Sequence, residues 1–478
     1  MPPIVAEKQA LSHIHEAFNK AKAASSGFKL EPLSKRKSRL LDLRKWIKAN
    51  RAAIQHAIYS DFKKPAAEVD LTEIFPVLDE IKLAIDNLDR WTKPRKIDAP
   101  ITMLGTRTSI VYEPKGLSLI IAPWNYPFNL CIGPLVSALA AGNNAFIKPS
   151  ELTPNTSALI KLMCEEVFEM NAVMVFEGDH EISQELLKLP FDHIFFTGSP
   201  AIGKVVMKAA SENLTSVTLE LGGKSPAIVS SSARVKEAAQ RIAASKFINN
   251  GQTCIAPDYI LIHERIAADF IIHVKDQVQK LFAGSESNIL ASPHYARIVN
   301  QKNFSRLNAL LQDALTKGAK LELTGPVEGA QRFMHPMILS SVSMDAKVME
   351  EEIFGPILPI IPFQSLDQAI SLINGKPKPL AIYFFGDSKV ERKRVQQETS
   401  SGAICINDCA IHFLHHNIPF GGVNNSGMGK AHGYFGFQAF SNEKPIVQQR
   451  NGLTSVRFFY PPYTPFVRRL INWLLKLF

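Results

Sequence analysis

Five short β-rich runs, each followed by a helical stretch, constrain this chain more than any other feature of its sequence. They are LSLIIA (117–122), NAFIK (144–148), AVMVF (172–176), HIFFT (193–197) and SVTLEL (216–221). Strand, helix, strand, repeated, predicts a parallel sheet covered by helices on both faces. The stretch 154–170 is predicted helical, with Thr153 as its cap and Pro154 at the first helical position. A second αβ series runs over 226–407, with strands YILIH (259–263), LAIYFFG (380–386) and GAICIN (402–407). Residues 1–94 read as amphipathic helices, because Leu40, Leu41, Leu43, Trp46 and Ile47 recur at helical spacing. TSIVYEP (108–114) reads as an exposed hairpin arm, separate from both sheets.

At 478 residues the chain exceeds one compact domain and is expected to build two large ones. A composition of 46% hydrophobic and 21% charged residues excludes disorder as the main state. The 5 cysteines are odd in number and scattered, which argues against a disulfide framework and for a reducing compartment. The N-terminal MPPIVAEKQA lacks the basic start and apolar core of a secretory signal, and no apolar run is long enough to span a bilayer. The expected location is the cytoplasm, or the cytosolic face of a membrane as a peripheral protein. The net charge of +10 is partly terminal, with 6 Lys or Arg and no acid over 444–478. No RNA-binding motif, zinc finger or Ser/Arg tract accompanies that charge, so nucleic acid is not an expected partner.

In parallel sheets ligands bind beyond the carboxyl ends of the strands, so the residues just after each run matter most. Asn125 (PWN), Lys148 and Glu151 (KPSE), Gly198 and Ser199 (TGS) and Glu220 (ELGG) stand there. Asn125 is a neutral amide suited to hold an oxyanion, though turns also favour asparagine. Glu220 beside two glycines suits a general base, or is simply a solvated acid at a strand end. Gly198 and Gly203 suit close approach to a phosphate, but FTGSPAIG is not GxGxxG. Cys254 in NNGQTCIAP reads as a presented thiol or as a buried inert one. Cys405, Cys409, His412, His415 and His416 match no zinc-finger spacing, so no metal is expected and the segment reads as pocket lining.

Taken together, NNGQTC, LELGGK, PWNYPF, FTGS, KPSE, EEIFGP and IPFGG resemble, in order and rough spacing, the aldehyde dehydrogenase superfamily. GQTCIAPDY, FDHIFFTGSPAIGK, EEIFGPILPI and PFGGVNNSGMGKAHG resemble its class 3 branch, the dimeric enzymes that include fatty aldehyde dehydrogenase. The resemblance covers residues 8–464 and implies a Rossmann-like NAD(P)-binding domain (1–94 and 116–222). It further implies a catalytic domain (223–407), a β-hairpin oligomerisation arm (95–115 and 431–450) and a C-terminal tail (451–478). By the same motifs Cys254 would be the nucleophile, Glu220 the base that activates water, and Asn125 with the Cys254 N–H the oxyanion hole. Lys148 and Glu151 would meet the adenosine ribose. Ser199 and Gly198 would meet the pyrophosphate, and Glu352 and Phe354 would meet the nicotinamide ribose and ring of NAD or NADP. The implied reaction oxidises medium- or long-chain aliphatic, or aromatic, aldehydes through a Cys254 thiohemiacetal and a thioester. A CoA-acylating enzyme and a catalytically silent protein that keeps the fold are the alternatives. Asn424 stands where class 3 members carry glycine, which bears on the local backbone.

The segment 465–478, PFVRRLINWLLKLF, carries Phe466, Leu470, Trp473, Leu474, Leu477 and Phe478 at helical spacing beside Arg468, Arg469 and Lys476. Fourteen residues of helix reach about 21 Å, too short to cross a bilayer, so an interfacial helix or one docked on protein is expected.

Overall fold

The computed structural model describes residues 3–283, 288–452 and 454–476, so Leu477 and Phe478 of the C-terminal pattern lie outside the described residues. The five runs fold as strands Leu117–Ile121, Asn144–Lys148, Val173–Val175, His193–Gly198 and Ser216–Leu221. They form one parallel sheet in the spatial order Ser216–Leu221, His193–Gly198, Leu117–Ile121, Asn144–Lys148, Val173–Val175. A short strand, Gly427–Met428, adds antiparallel at the Ser216–Leu221 edge. The sheet is buried on both faces, and its residues alternate between two cores. Leu117, Leu119 and Ile121 face Ile14, Phe18 and Ala21 of the first helix. Ile120, Ala145 and Ile147 face Cys131, Leu135 and Leu139 of helix Asn129–Ala141 and the helices of the N-terminal region. Two-sided burial explains why these strands read as continuous apolar runs rather than alternating ones.

The order reverses between Leu117–Ile121 and His193–Gly198, which leave the sheet's middle in opposite connection senses. Such a switch point opens a crevice beyond the carboxyl ends of the two strands. Asn125 follows the first strand and Ser199 the second.

A second sheet runs Lys320–Leu323, Met337–Ser340, Ile357–Phe363, Tyr259–His263, Pro226–Val229, Ala381–Phe385, Ala403–Ile406, parallel except for its first strand. Arg107–Pro114 lies in neither sheet and pairs antiparallel with Arg95–Ile97 on one side and Ser441–Gln448 on the other. The molecule is α/β, with two parallel-sheet layers and a separate three-stranded arm.

Helix Pro154–Val167 starts where expected, with Thr153 at the N-cap position and Pro154 in the first turn, but its cap bonds come from elsewhere. Thr153 precedes it but its hydroxyl caps nothing. Instead Asp61, in helix Arg51–Phe62, accepts from the backbone N–H groups of Asn155 (3.1 Å) and Thr156 (3.0 Å) and from both their side chains. A carboxylate satisfies the free N–H groups of a first turn better than a hydroxyl, and its charge suits the helix dipole.

Candidate active site

Helix Val235–Phe247 ends in a tight turn whose three residues Asn249, Asn250 and Gly251 all have positive φ (53°, 57° and 73°). Asparagine tolerates that region better than other side chains, whereas position 251 demands glycine for a second reason. A Cβ there would stand 2.3 Å from the Gly355 carbonyl oxygen, so the turn lies directly on the EEIFGP segment. Beyond it, Gln252 is locked by its side chain, donating to the carbonyls of Asn249 and Arg297 (both 3.0 Å) and accepting from Val299 N (3.0 Å). Cys254 follows, half-buried.

The thiol stands where three cavities meet. The first is an apolar channel of about 240 Å3, walled by Leu71, Tyr126, Ile248, Ile411, Phe413 and Leu414 among others. The second is a cleft of about 500 Å3 between the sheets, walled by Trp124, Asn125, Gly198, Ser199, Glu220, Glu352 and Phe354. The third is a small chamber of about 50 Å3 that Glu220, Glu80 and His432 also line. Cys254 lines all three.

Electrostatically the resting site is hostile to charge. Burial, then the Glu352 and Glu220 carboxyls, push the Cys254 thiol up to about 12. Burial alone drives Glu220 well above the usual carboxylate range, opposed only by Lys430. Both Glu220 oxygens are buried without a hydrogen-bond partner. An acid so placed costs energy in its charged form and holds its proton until something in the chamber takes it. Burial, then Asp258, raises Glu352 to about 8. The Asn125 amide is buried and donates one N–H to the Gln252 carbonyl (3.0 Å).

Of the residues expected at a dinucleotide, Gly198, Ser199, Glu352 and Phe354 line the cleft. Ser199 caps helix Pro200–Ser211, whose first residues form the cleft's rim, so its N-terminal dipole faces the opening. A Cβ on Gly222 would stand 2.1 Å from Glu352 Oε2, so that glycine lets the carboxyl into the cleft wall. Phe354 is held at φ 49°, edge-on to Trp124 at 5.3 Å. A strained backbone at a cleft is where function most often maintains it. Lys148 and Glu151 sit together at 3.3 Å beyond the next strand end, outside the lining of this cleft. These residues fit a bound dinucleotide: a helix N-terminus for phosphates, an acid for a ribose and aromatic rings for a planar base.

The sequence pattern missed Trp124, Asn303 and Arg306 in the cleft wall. Arg306, inside helix Gln301–Thr316, donates to the carbonyls of Glu352 (3.3 Å) and Ile353 (2.6 Å), and no local signal marks it. In the Cys/His segment, Cys409 lines the apolar channel, and Cys405 Sγ meets His412 Nδ1 at 3.0 Å. His416 turns away to Asp79 (2.8 Å), near Glu80 and His432, which pair at 2.6 Å. Asn424, the departure from the class 3 pattern, keeps a left-handed backbone at φ 55° and accepts from Lys378 (2.9 Å). Asparagine there serves as glycine would.

The family model described as Aldehyde dehydrogenase family matches residues 5–446. The 4,4'-diaponeurosporen-aldehyde dehydrogenase of Staphylococcus aureus is 44% identical, over 94% of this chain and 96% of its own. Aldehyde dehydrogenase family 3 member A2 of Pongo abelii is 40% identical, over 94% and 91%. A solved structure of Staphylococcus aureus AldH in a substrate-bound state superposes with a TM-score of 0.92 at 43% identity, covering 96% of this chain and 99% of that one.

Proposed function

From its membership of the aldehyde dehydrogenase family, with class 3 members among its relatives, we propose that this NAD(P)-dependent enzyme oxidises medium- and long-chain aliphatic aldehydes, and aromatic ones, to carboxylic acids. The observation that carries the substrate class is the apolar channel that Cys254 lines, beside the cleft that it also lines. An alkyl chain entering it gains about 0.8 kcal/mol for each methylene removed from water, until the walls end.

In this reading Cys254 gives up its thiol proton to water as its sulfur bonds to the carbonyl carbon, and the oxyanion that forms is held by the Asn125 amide and the Cys254 backbone N–H. Bound NAD or NADP supplies the acceptor for the hydride leaving that carbon. The acyl group stays on Cys254 as a thioester. Glu220, once its own proton has left for solvent, takes a proton from the water that attacks the thioester; the C–S bond breaks, and the departing thiolate is reprotonated from Glu220. Glu220 favours hydrolysis over transfer to CoA, because a carboxyl lining the same chamber as Cys254 can serve as base for water but is not needed for thiol exchange. Glu352 and Phe354 place the nicotinamide end, Gly198 and Ser199 the pyrophosphate, and Lys148 and Glu151 the adenosine ribose.

Two further parts belong to this reading. The arm Arg95–Ile97, Arg107–Pro114 and Ser441–Gln448 joins two copies as a homodimer, its outer strand Ser441–Gln448 leaving a backbone edge exposed. Helix Pro465–Leu475 contacts a membrane surface, because Phe466, Trp473 and Leu475 are exposed beside Arg468 and Arg469. No helix of the described residues is long and apolar enough to cross a membrane. A kcat/KM series from C2 to C18 aldehydes, with NAD and with NADP, tests the substrate assignment. A rise with chain length up to a plateau is expected, and a flat or falling series rejects it.

A further inference from the structure

We propose that the buried Lys64–Glu73 ion pair is a positioning device for the oxyanion-holding amide of Asn125; the proposal rests on the role given to Asn125 above. Lys64 follows helix Arg51–Phe62, and Glu73 stands in a π-turn, Asp70–Ile74. Single π-turns of this kind gather at functional sites, since the extra residue re-aims a side chain. Both side chains are fully buried, and they meet at 2.6 Å.

The pair grips one five-residue segment at both ends. Lys64 Nζ donates to the Asn125 carbonyl (3.1 Å) and lies 3.9 Å from the Tyr126 ring centroid. Glu73 Oε2 accepts from the backbone N–H of Phe128 (3.2 Å) and Asn129 (2.9 Å), where helix Asn129–Ala141 begins. Between those grips Tyr126 OH meets Thr253 Oγ1 at 2.7 Å, next to Cys254. Asn249 Nδ2 donates to the same Asn125 carbonyl (2.9 Å) and to the Gln252 carbonyl (3.1 Å). One network therefore ties the amide donor to the loop that presents the thiol.

An ion pair is a costly way to fill a core. Apolar side chains of equal volume often serve stability as well or better. What they lack is direction: an apolar side chain neither donates to the Asn125 carbonyl nor accepts from the Phe128 and Asn129 N–H groups. The Asn125 amide already spends one N–H on Gln252, so the other must point at the developing oxyanion without searching. Preorganised donors of this kind hold most of an oxyanion's stabilisation, and a displacement of about 1 Å costs about 100-fold in rate.

The test is a cycle between Lys64→Met/Glu73→Gln, which removes both charges and keeps an acceptor for the helix N–H groups, and Asn125→Ala. The neutral pair should bind NAD or NADP as the parent does and keep KM for aldehyde within about twofold, while the pre-steady-state NADH burst slows about 10- to 100-fold. In the Asn125→Ala background it should slow the burst no further. An unchanged burst overturns the proposal, as does full additivity with Asn125→Ala. If Asn125→Ala alone bursts at the parent rate, the oxyanion assignment itself falls, which is a separate result. Glu73→Asp keeps the charge and shortens the reach. It gives the same non-additive pattern with a smaller loss, and serves if the neutral pair does not fold.

Discussion

Cys254 is a thiol raised to about 12 at the meeting of three cavities, so it does not react by being ionised at rest. Cys254→Ala should abolish aldehyde oxidation and leave cofactor affinity within about twofold, read by turnover and by fluorescence titration. Turnover by that variant would remove the assignment. Glu352 offers a finer check on the thiol. Its own carboxyl is raised to about 8, so it is mostly neutral at pH 7 and negative above pH 8. Glu352→Gln removes a charge that opposes the thiolate only in the upper range. Iodoacetamide should therefore label Cys254 faster in the variant than in the parent above pH 8, and at equal rates near pH 6. Glu220 is held protonated by burial, so the acid limb of deacylation should lie well above the ordinary carboxylate range. As pH rises through that limb the base is freed and turnover climbs. Glu220→Gln should lose the limb and give a rapid NADH burst followed by a slow steady state. A burst slowed as much as turnover would assign Glu220 another task.

At the scale of elements, the helix that follows the second strand of the first sheet depends on a partner outside itself. Asp61 accepts four hydrogen bonds at the first turn of Pro154–Val167, and the Thr153 hydroxyl makes none of them. Asp61→Ala leaves buried donors unmet and should cost about 2 kcal/mol, read as a fall of a few degrees in Tm. Asp61→Asn, which keeps one acceptor, should lose less. Thr153→Ala deletes a buried methyl and a weak bond to the Ser150 carbonyl but no cap, so it should lower Tm less than Asp61→Ala, and a larger fall would return the cap to Thr153. The turn before Cys254 follows the same logic: positive φ is local and readable from Asn-Asn-Gly, but the contact of Gly251 with Gly355 joins segments about a hundred residues apart.

For the whole molecule, the C-terminal helix is the part least explained by the catalytic core. Ser455, just before it, donates to the Thr102 carbonyl (2.8 Å), so this region rests on the arm. Among the described residues, none after Leu414 lines the apolar channel of its own chain. Val467 is buried, while Phe466 and Trp473 are each more than half exposed. Deleting residues 465–478 should release the enzyme from anionic vesicles in co-sedimentation. Arg468→Glu with Arg469→Glu should weaken binding chiefly at low salt, where screening is least. Equal sedimentation of full-length and truncated protein would reject the membrane role.

Periodicity, strand ends and residue chemistry are short-range properties, and the sequence by itself determined what rests on them. The five parallel strands, the positions just beyond their carboxyl ends and the types of residue at 125, 199, 220 and 254 were legible there. Motif order added Glu352 and Phe354, which no local pattern places. Only the tertiary structure decided which distant groups meet. It set Lys64 and Glu73 on the Asn125–Asn129 segment, Asp61 on the helix after Thr153, and Arg306 on the Glu352 carbonyl. It also brought Glu80 and His432 into the Glu220 chamber. The reason is physical: a charged side chain in a helix reads as a solvated face whenever only its neighbours in sequence are known. Packing alone takes such a group out of water, and once buried it must find a partner or pay the full cost of its charge.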